Sequence, residues 1–361
     1  MTTTTLTIEP LIVPVALDAP DGADFRAYGQ LNRQICDEMV DLPDIAPDAA
    51  QLLASWQDST DTLQTGFVAR NGDEIVGMIT IAYAQEADAK AAEADLLVPE
   101  KHWGIGVEDA LLTLAESEAR AHGRSLVQIW TLHRPIESER MISPRTGWGR
   151  IPAIPLSDVL EARGYDFEQV ERNSELDLRS DPAPLQVALR SAQAAAGDDY
   201  RVLQWMAPTP PEFREGYAAI LARLSTDAPS GEMDFVAEEW DAERVVRRER
   251  RLTGAGQALS IVAAQHVPSG DIVAYNELLV GADRSGITHQ LGTLVSREHR
   301  GHRLGTVVKC ANLLHWRELM PFSPAVSTFN AEENRPMLSI NESIGFLSLI
   351  HISEPTRLRR I

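Results

Sequence analysis

An internal duplication constrains this chain more than any single motif. "GFVARNGDEIVGMITI" (66 to 81) and "SIVAAQHVPSGDIVAYNELLV" (260 to 280) each read as strand, Gly-containing turn and second strand, with Gly72-Asp73 matching Gly270-Asp271. "LLVPEKHWGIGVEDALLTLAESEARAHG" (96 to 123) matches "TLVSREHRGHRLGTVVKCANLLHWREL" (293 to 319) through Val, three residues, His, one residue, Gly and a long helix pattern. "LEARGYDF" (160 to 167) matches "NESIGFLS" (341 to 348), a helix stopped by Gly before an aromatic residue that opens a strand. A unit of strand, hairpin, strand, helix, strand, helix, strand therefore occurs twice, which predicts two tandem α/β domains, and 361 residues suffice for both cores. The Pro- and Ala-rich stretch 179 to 199 reads as a linker with one short helix and places the domains at 1–185 and 186–361. Their first strands are expected at 11–15 and 200–205, with helices over "EFREGYAAILARL" and "EEWDAERVVRRERRL" in the second copy.

Composition narrows the function. Hydrophobic residues at 44% and charged residues at 24% suit a globular chain. No apolar run approaches the ~18 residues of a membrane span, and the N-terminus has no signal-peptide pattern, so a cytoplasmic protein is expected. A net charge of −20 speaks against nucleic-acid or anionic-membrane partners, both of which need a basic face, and favours a cationic small molecule. Cys36 and Cys310, one in each copy, form neither a disulfide framework nor a metal knuckle; both are expected to be buried, and no metal site is predicted.

Against that acidic background, "SREHRGHRLGTVVK" (296 to 309) gathers Arg297, Arg300, Arg303 and Lys309, with one Glu, around Gly301 and Gly305. The stretch joins a Thr/Leu/Val-rich strand, "HQLGTLV" (289 to 295), to a helix pattern. Glycines at such a turn let backbone N–H groups approach a phosphate, and the helix dipole adds partial positive charge, so a diphosphate fits. Neither the Gly-Lys-Ser/Thr of a P-loop nor a Gly-x-Gly-x-x-Gly after the first strand is present.

Arg300-Gly301-His302-Arg303-Leu304-Gly305, followed by a helix and a strand ending in "TFNAEENRPMLSINESIGF" (328 to 346), resembles the GNAT superfamily of acetyl-CoA-dependent N-acetyltransferases. The resemblance covers 200 to 346 well and 11 to 178 in degenerate form. It implies an α/β (α+β) fold of two tandem domains, each with a mixed, mostly antiparallel central sheet flanked by helices. It also implies acetyl-CoA as cosubstrate, a small-molecule amine as acceptor, and a monomer or homodimer. By this resemblance the turn Arg300, Gly301, His302, Arg303, Leu304, Gly305 and Thr306 holds the coenzyme diphosphate. Arg303 stands where the family usually has glycine. The backbone of Leu294, Val295 and Ser296 pairs with the pantetheine arm, and Asn330 and Asn334 match positions that bond that arm; both asparagines equally suit a helix cap. The general-base position falls on His289, with Glu277 on the neighbouring strand as rival; an imidazole near its ordinary pKa suits proton uptake from an ammonium. The position of the tyrosine that protonates the thiolate in some members is occupied by Asn341, which donates a hydrogen bond but no proton.

The same alignment puts Trp103-Gly104-Ile105-Gly106-Val107-Glu108 on the motif of the first copy and Ala92 on the base position. A carboxylate ~5 Å from a diphosphate charge costs roughly 3 kcal/mol at an effective dielectric of ~20, about a hundredfold in affinity. The first copy then reads as a scaffold, as in actinobacterial tandem GNAT proteins; the register Lys101-x-x-Gly104-x-Gly106 is the alternative. The acceptor segment of the second copy (224 to 243) carries Asp227, Glu232, Asp234, Glu238 and Glu239, which suit either a cationic amine or a solvated acidic surface. A non-catalytic acyl-CoA-binding or regulatory protein is the alternative function. Residues 164 to 178 are expected to supply the last two strands of the first copy. After Phe346 there is room for one short strand, which predicts an unpaired sheet edge.

Overall fold

The protein is described from a computed structural model, which covers residues 6–134, 136, 138–227, 229, 231–350 and 356–360. The first half contains β1 (Leu6–Pro10), α1 (Ala23–Val40), α2 (Ala49–Trp56), β2 (Thr62–Asn71), β3 (Glu74–Ala84), β4 (Ala91–Leu97), α3 (Val107–Ala121) and β5 (Leu126–Trp130). A short hairpin, β6 (Met141–Ile142) and β7 (Ile151–Pro152), precedes α4 (Pro155–Ala162), β8 (Asp166–Gln169), β9 (Glu171–Asp177) and α5 (Ala183–Ala196). The second half repeats the order as β10 (Tyr200–Met206), α6 (Pro211–Leu221), α7 (Leu224–Asp227), α8 (Ala242–Gly254), β11 (Ala258–His266), β12 (Ile272–Val280), β13 (Thr288–Val295), α9 (Leu304–Leu319), β14 (Ala325–Ala331) and α10 (Arg335–Ser343). The last strands are β15 (Leu347–Ile350) and β16 (Thr356–Arg360).

Two seven-stranded sheets result, ordered β1-β2-β3-β4-β5-β16-β8 and β10-β11-β12-β13-β14-β9-β15. Only β4–β5 and β13–β14 pair parallel; every other pairing is antiparallel. Helices cover both faces of each sheet. In the first, Phe25, Tyr28 and Trp56 pack on Val68 and Met78 from one side, and Leu111, Leu112 and Leu160 on Ala92 and Ala94 from the other. In the second, Tyr217 and Val245 lie against Ile261 and Tyr275, while Leu313 and Trp316 lie against Leu278 and Val326. Double coverage explains why all nine residues of β12 are buried and why its sequence lacks a polar-apolar alternation.

Three features differ from the sequence expectation. The first strand ends at Pro10; Leu11 N–H makes one further bond to Gly66 O (2.8 Å), and Pro14, in the stretch expected to form the strand, has no N–H to offer a ladder. Only β8 of the expected pair in 164 to 178 stays in the first sheet: the chain crosses at buried Val170, and β9 pairs with β14 of the second sheet from Ala325↔Asp177 to Ala331↔Glu171. In return β16 enters the first sheet between β5 and β8, whereas β15 pairs with β9 alone and ends the second sheet, which leaves an open edge there. Residues 351–355 and 361 of the tail lie outside the described residues.

The stretch expected as a linker contains a 14-residue helix, α5, whose Leu185 joins the core around Leu313 and Trp316; the boundary expected near 185 lies inside it. The domains are also joined by charge. Arg244 and Arg247 of α8 reach Glu86 (2.6 Å) and Asp61 (2.8 Å) of the first domain.

Candidate active site

The matching turns share one backbone at a spacing of 197 residues. In the second domain a 3-10 turn (Arg297–His299) is followed by Gly301 at φ 91°, Arg303 at φ 56° and the start of α9 at Leu304. In the first, Glu100–His102 is followed by Gly104 at φ 73°, Gly106 at φ 92° and the start of α3 at Val107. Both turns need two left-handed residues. Arg303 adopts that conformation despite its Cβ, a strain of about 1 kcal/mol that Gly106 avoids.

Their chemistry is opposite. Among the described residues, no acceptor meets the N–H groups of Gly301, His302, Arg303, Leu304, Gly305 or Thr306. In the first domain, Glu108 stands at the position of Gly305. Its buried carboxylate turns back and accepts the Gly104 N–H at 2.9 Å, filling with a fixed negative charge the place where an anion would sit.

The adjoining strands diverge too. Asn276 pairs with Thr293 and Leu278 with Gln290, so Glu277 faces two residues, Leu291 and Gly292, across a β-bulge. Glycine is required there, because a Cβ at 292 would run into the buried ring and hydroxyl of Tyr275. Beyond the bulge β13 leaves β14: parallel pairing is limited to Thr288↔Val326 and His289↔Ser327. Gln290 bridges the fork to Thr328 Oγ1 (2.9 Å), and the β14-facing edge of Leu294 and Val295 has no strand partner. In the first domain β3 and β4 pair without a shift, and β4 stays zipped to β5 from Ala91↔Leu126 to Asp95↔Trp130. The inserted residue also changes the equivalence of the strands. His289, paired with Ser327, corresponds to Glu93, paired with Gln128, and not to Ala92 as the ungapped alignment has it.

The fork of the first domain opens only past Asp95, as a cleft of about 200 Å³ walled by Tyr28, Trp103, Trp130 and Glu108. No Lys or Arg lines it among the described residues, and burial pushes the Asp95 carboxyl up to about 6.

The predicted residues of the second domain occupy distinct places. His289 is half-buried, and burial lowers its pKa, opposed by the charge of Asp44 from the first domain, so the ring is neutral near pH 7. Glu277 is enclosed: one oxygen accepts from the Tyr217 hydroxyl and both accept from Arg248, whose Nη2 lies 3.0 Å from Oε2. With its lone pairs directed at an arginine fork and a phenol, Glu277 is an ion-paired core residue, which removes it as the rival base. Arg300 donates to Val295 O (3.2 Å), and Arg297 pairs with Asp227 at 3.0 Å, which fastens α7 to the turn. Ser296 closes the strand through its N–H to Val273 O. Tyr200 hydroxyl meets His299 Nδ1 at 3.0 Å, with the His302 ring 5.3 Å away. Asn334 caps α10, accepting from Met337 N–H at 3.4 Å. Asn330 Oδ1 accepts from Asn341 Nδ2 (2.7 Å), and Asn341 Oδ1 accepts from Lys309.

Sequence reasoning missed Lys309 in this role. The signal was available: it shares a helix face with Gly305, Asn312, Leu313 and Trp316, all buried, where a lysine has no routine place. The acidic acceptor segment is also spoken for. It lies over the first domain, with Asp234 N–H on Gln128 Oε1 (3.0 Å), Glu232 facing Arg145 (3.5 Å) and Glu238 facing Arg244 (3.4 Å). Together with Asp227 on Arg297, three of the five carboxylates expected to hold a cationic amine are ion-paired within the protein.

Two solved structures that resemble this chain span both halves. A tandem GNAT protein from the clavulanic acid biosynthesis pathway aligns at 23% identity over 98% of each chain, with a TM-score of 0.70. The chain has the tandem GNAT fold. A GCN5-related N-acetyltransferase from Sphaerobacter thermophilus aligns at 15% identity over 98% of this chain and 95% of that one, with a TM-score of 0.61. The sequence profile of the acetyltransferase (GNAT) family matches residues 33–135, in the first domain, where the turn carries Glu108. No curated protein matches the chain in sequence. The family match thus falls in the half read from the sequence as degenerate, while the bulged β13 and the turn ending in Gly305 belong to the other half. Among the described residues, no helix is long and apolar enough to cross a membrane.

Proposed function

We propose that this GNAT protein transfers an acetyl group from acetyl-CoA to a primary amine of a small molecule, with the active site in the second domain. The observation that carries this reading is the coincidence, in one domain only, of a bulged β13 splayed from β14 and a helix-start turn with unclaimed N–H groups. A diphosphate fits those N–H groups and the exposed Arg303 at the helix start, and the edge of Leu294 and Val295 without a strand partner suits the amides of an extended arm. The coenzyme would supply the acetyl group as a thioester.

His289, neutral near pH 7, takes the proton released by the acceptor nitrogen, directly or through one water. Asn341 and Asn330 present amide donors rather than a proton, so coenzyme A leaves as a thiolate stabilised by hydrogen bonding. Isothermal titration with acetyl-CoA followed by a thiol-release assay over a panel of amines tests the reading. Binding followed by turnover of at least one amine supports it. Binding without turnover across the panel replaces it with the regulatory alternative, which the absence of a proton donor at Asn341 would then explain.

A further inference from the structure

Lys309 is the one fully buried lysine among the described residues; the chain folds its ammonium into the wall behind the fork, where no carboxylate meets it. Its neighbours are Asn341 Oδ1, the Met337 sulfur at 3.7 Å and the Phe346 ring at 5.3 Å. The titratable group beside it is Cys310, whose thiol burial pushes up to about 12, so it stays neutral. Burying an unpaired cation is expensive, and an apolar side chain would fill the same space without that cost. The hydrogen-bond directions show what the charge does.

An ammonium has three donors and no acceptor. Facing Lys309, Asn341 must turn its oxygen inward, which sends its Nδ2 outward. That Nδ2 lies 2.7 Å from Asn330 Oδ1, so Asn330, half-buried on β14 beside the fork, is fixed in turn with its own Nδ2 without a partner among the described residues. Two asparagines, each able to present either end, are locked as donors by one residue that can only donate.

We propose that Lys309 is a positioning residue for acyl transfer: it sets the polarity of the Asn341–Asn330 pair so that amide N–H groups, not carbonyl oxygens, face the coenzyme arm and the departing sulfur. The inference rests on the site proposed above. Burial lowers the Lys309 pKa to about 7, and the neutral amine can accept as well as donate, so the lock weakens as pH rises through 7.

The test compares full-length Lys309→Met and Lys309→Gln with the native chain. In native protein without coenzyme, the side-chain amide resonances of Asn330 and Asn341 titrate together near pH 7, and in Lys309→Met they do not. Acetyl-CoA binds Lys309→Met about tenfold more weakly at pH 6, the loss of one or two directed hydrogen bonds, and Lys309→Gln, whose amide can present either end and so does not fix Asn341, recovers it only in part. Native affinity declines from pH 6 to 8 and the Met variant is flat. Amide resonances indifferent to Lys309, or native affinity and pH dependence in Lys309→Met, overturn the proposal. The resonances are read without coenzyme, so a protein that shows the amide titration but binds no acetyl-CoA defeats the proposed site and leaves the Lys309 lock standing.

Discussion

The turns at 100–108 and 297–305 have the same backbone and opposite uses. Each runs through a 3-10 turn and two left-handed residues into a helix. One ends in Glu108, which consumes a turn N–H with its own carboxylate, and the other in Gly305, which leaves the N–H groups open. The strands repeat the contrast, since β13, with one inserted residue, leaves β14 after two paired residues, whereas β4 stays paired with β5 through Asp95. The comparison teaches that one frame tolerates two different turns and forks, because the frame rests on apolar periodicity and turn geometry. The site rests on a handful of side chains and one bulge.

Transplanting first-domain residues into the second domain sharpens that contrast. The largest effect is expected from Glu277→Thr, which copies Thr80, its counterpart opposite the bulge. It leaves the Arg248 guanidinium without its buried carboxylate and costs about 3 to 5 kcal/mol of stability, read as a lower thermal midpoint. An unchanged midpoint would mean that the Tyr217–Glu277–Arg248 cluster is not structural. Gly305→Glu copies Glu108 and is expected to weaken acetyl-CoA binding about a hundredfold, with little change in stability beyond a contact at Ile340, 3.1 Å from an added Cβ. His289→Gln is expected to lower turnover about a hundredfold while leaving acetyl-CoA affinity within twofold. In the native chain the rate is expected to fall as pH drops through the His289 pKa, because the protonated ring cannot accept; that limb lies below the ordinary imidazole range and should vanish in the variant. The smallest effect belongs to Arg303→Gly, which copies Gly106: relief of the left-handed strain adds up to ~1 kcal/mol of stability, while loss of an exposed cation weakens coenzyme binding only a few-fold.

Much of the frame was legible in the sequence. The repeated hairpins, the basic turn, the helices after it and the Gly-stopped helix at 345 are local patterns, and each stands where its residues placed it. Two non-local features were not legible. A single residue, Val170, separates β8 from β9, so 164 to 178 reads as two strands of one sheet although the chain changes sheets there. The bulge at Leu291-Gly292 leaves no mark on the apolar pattern of β13, and the side chain that excludes a Cβ at 292, Tyr275, lies on the neighbouring strand; the alignment therefore matched His289 to Ala92 when its counterpart is Glu93. At the proposed site, the basic turn and the helix after it were readable from charge and glycine. Glu277 looked like a base because its partners, Tyr217 and Arg248, lie 60 and 29 residues away.

The most direct test of the central claim is isothermal titration of acetyl-CoA into the full-length native chain and its Gly305→Glu variant. The two-turn account predicts one site per native chain and none in the variant at the same concentrations. Two sites per native chain, or a site that survives in Gly305→Glu, would contradict it by placing coenzyme at the turn closed by Glu108.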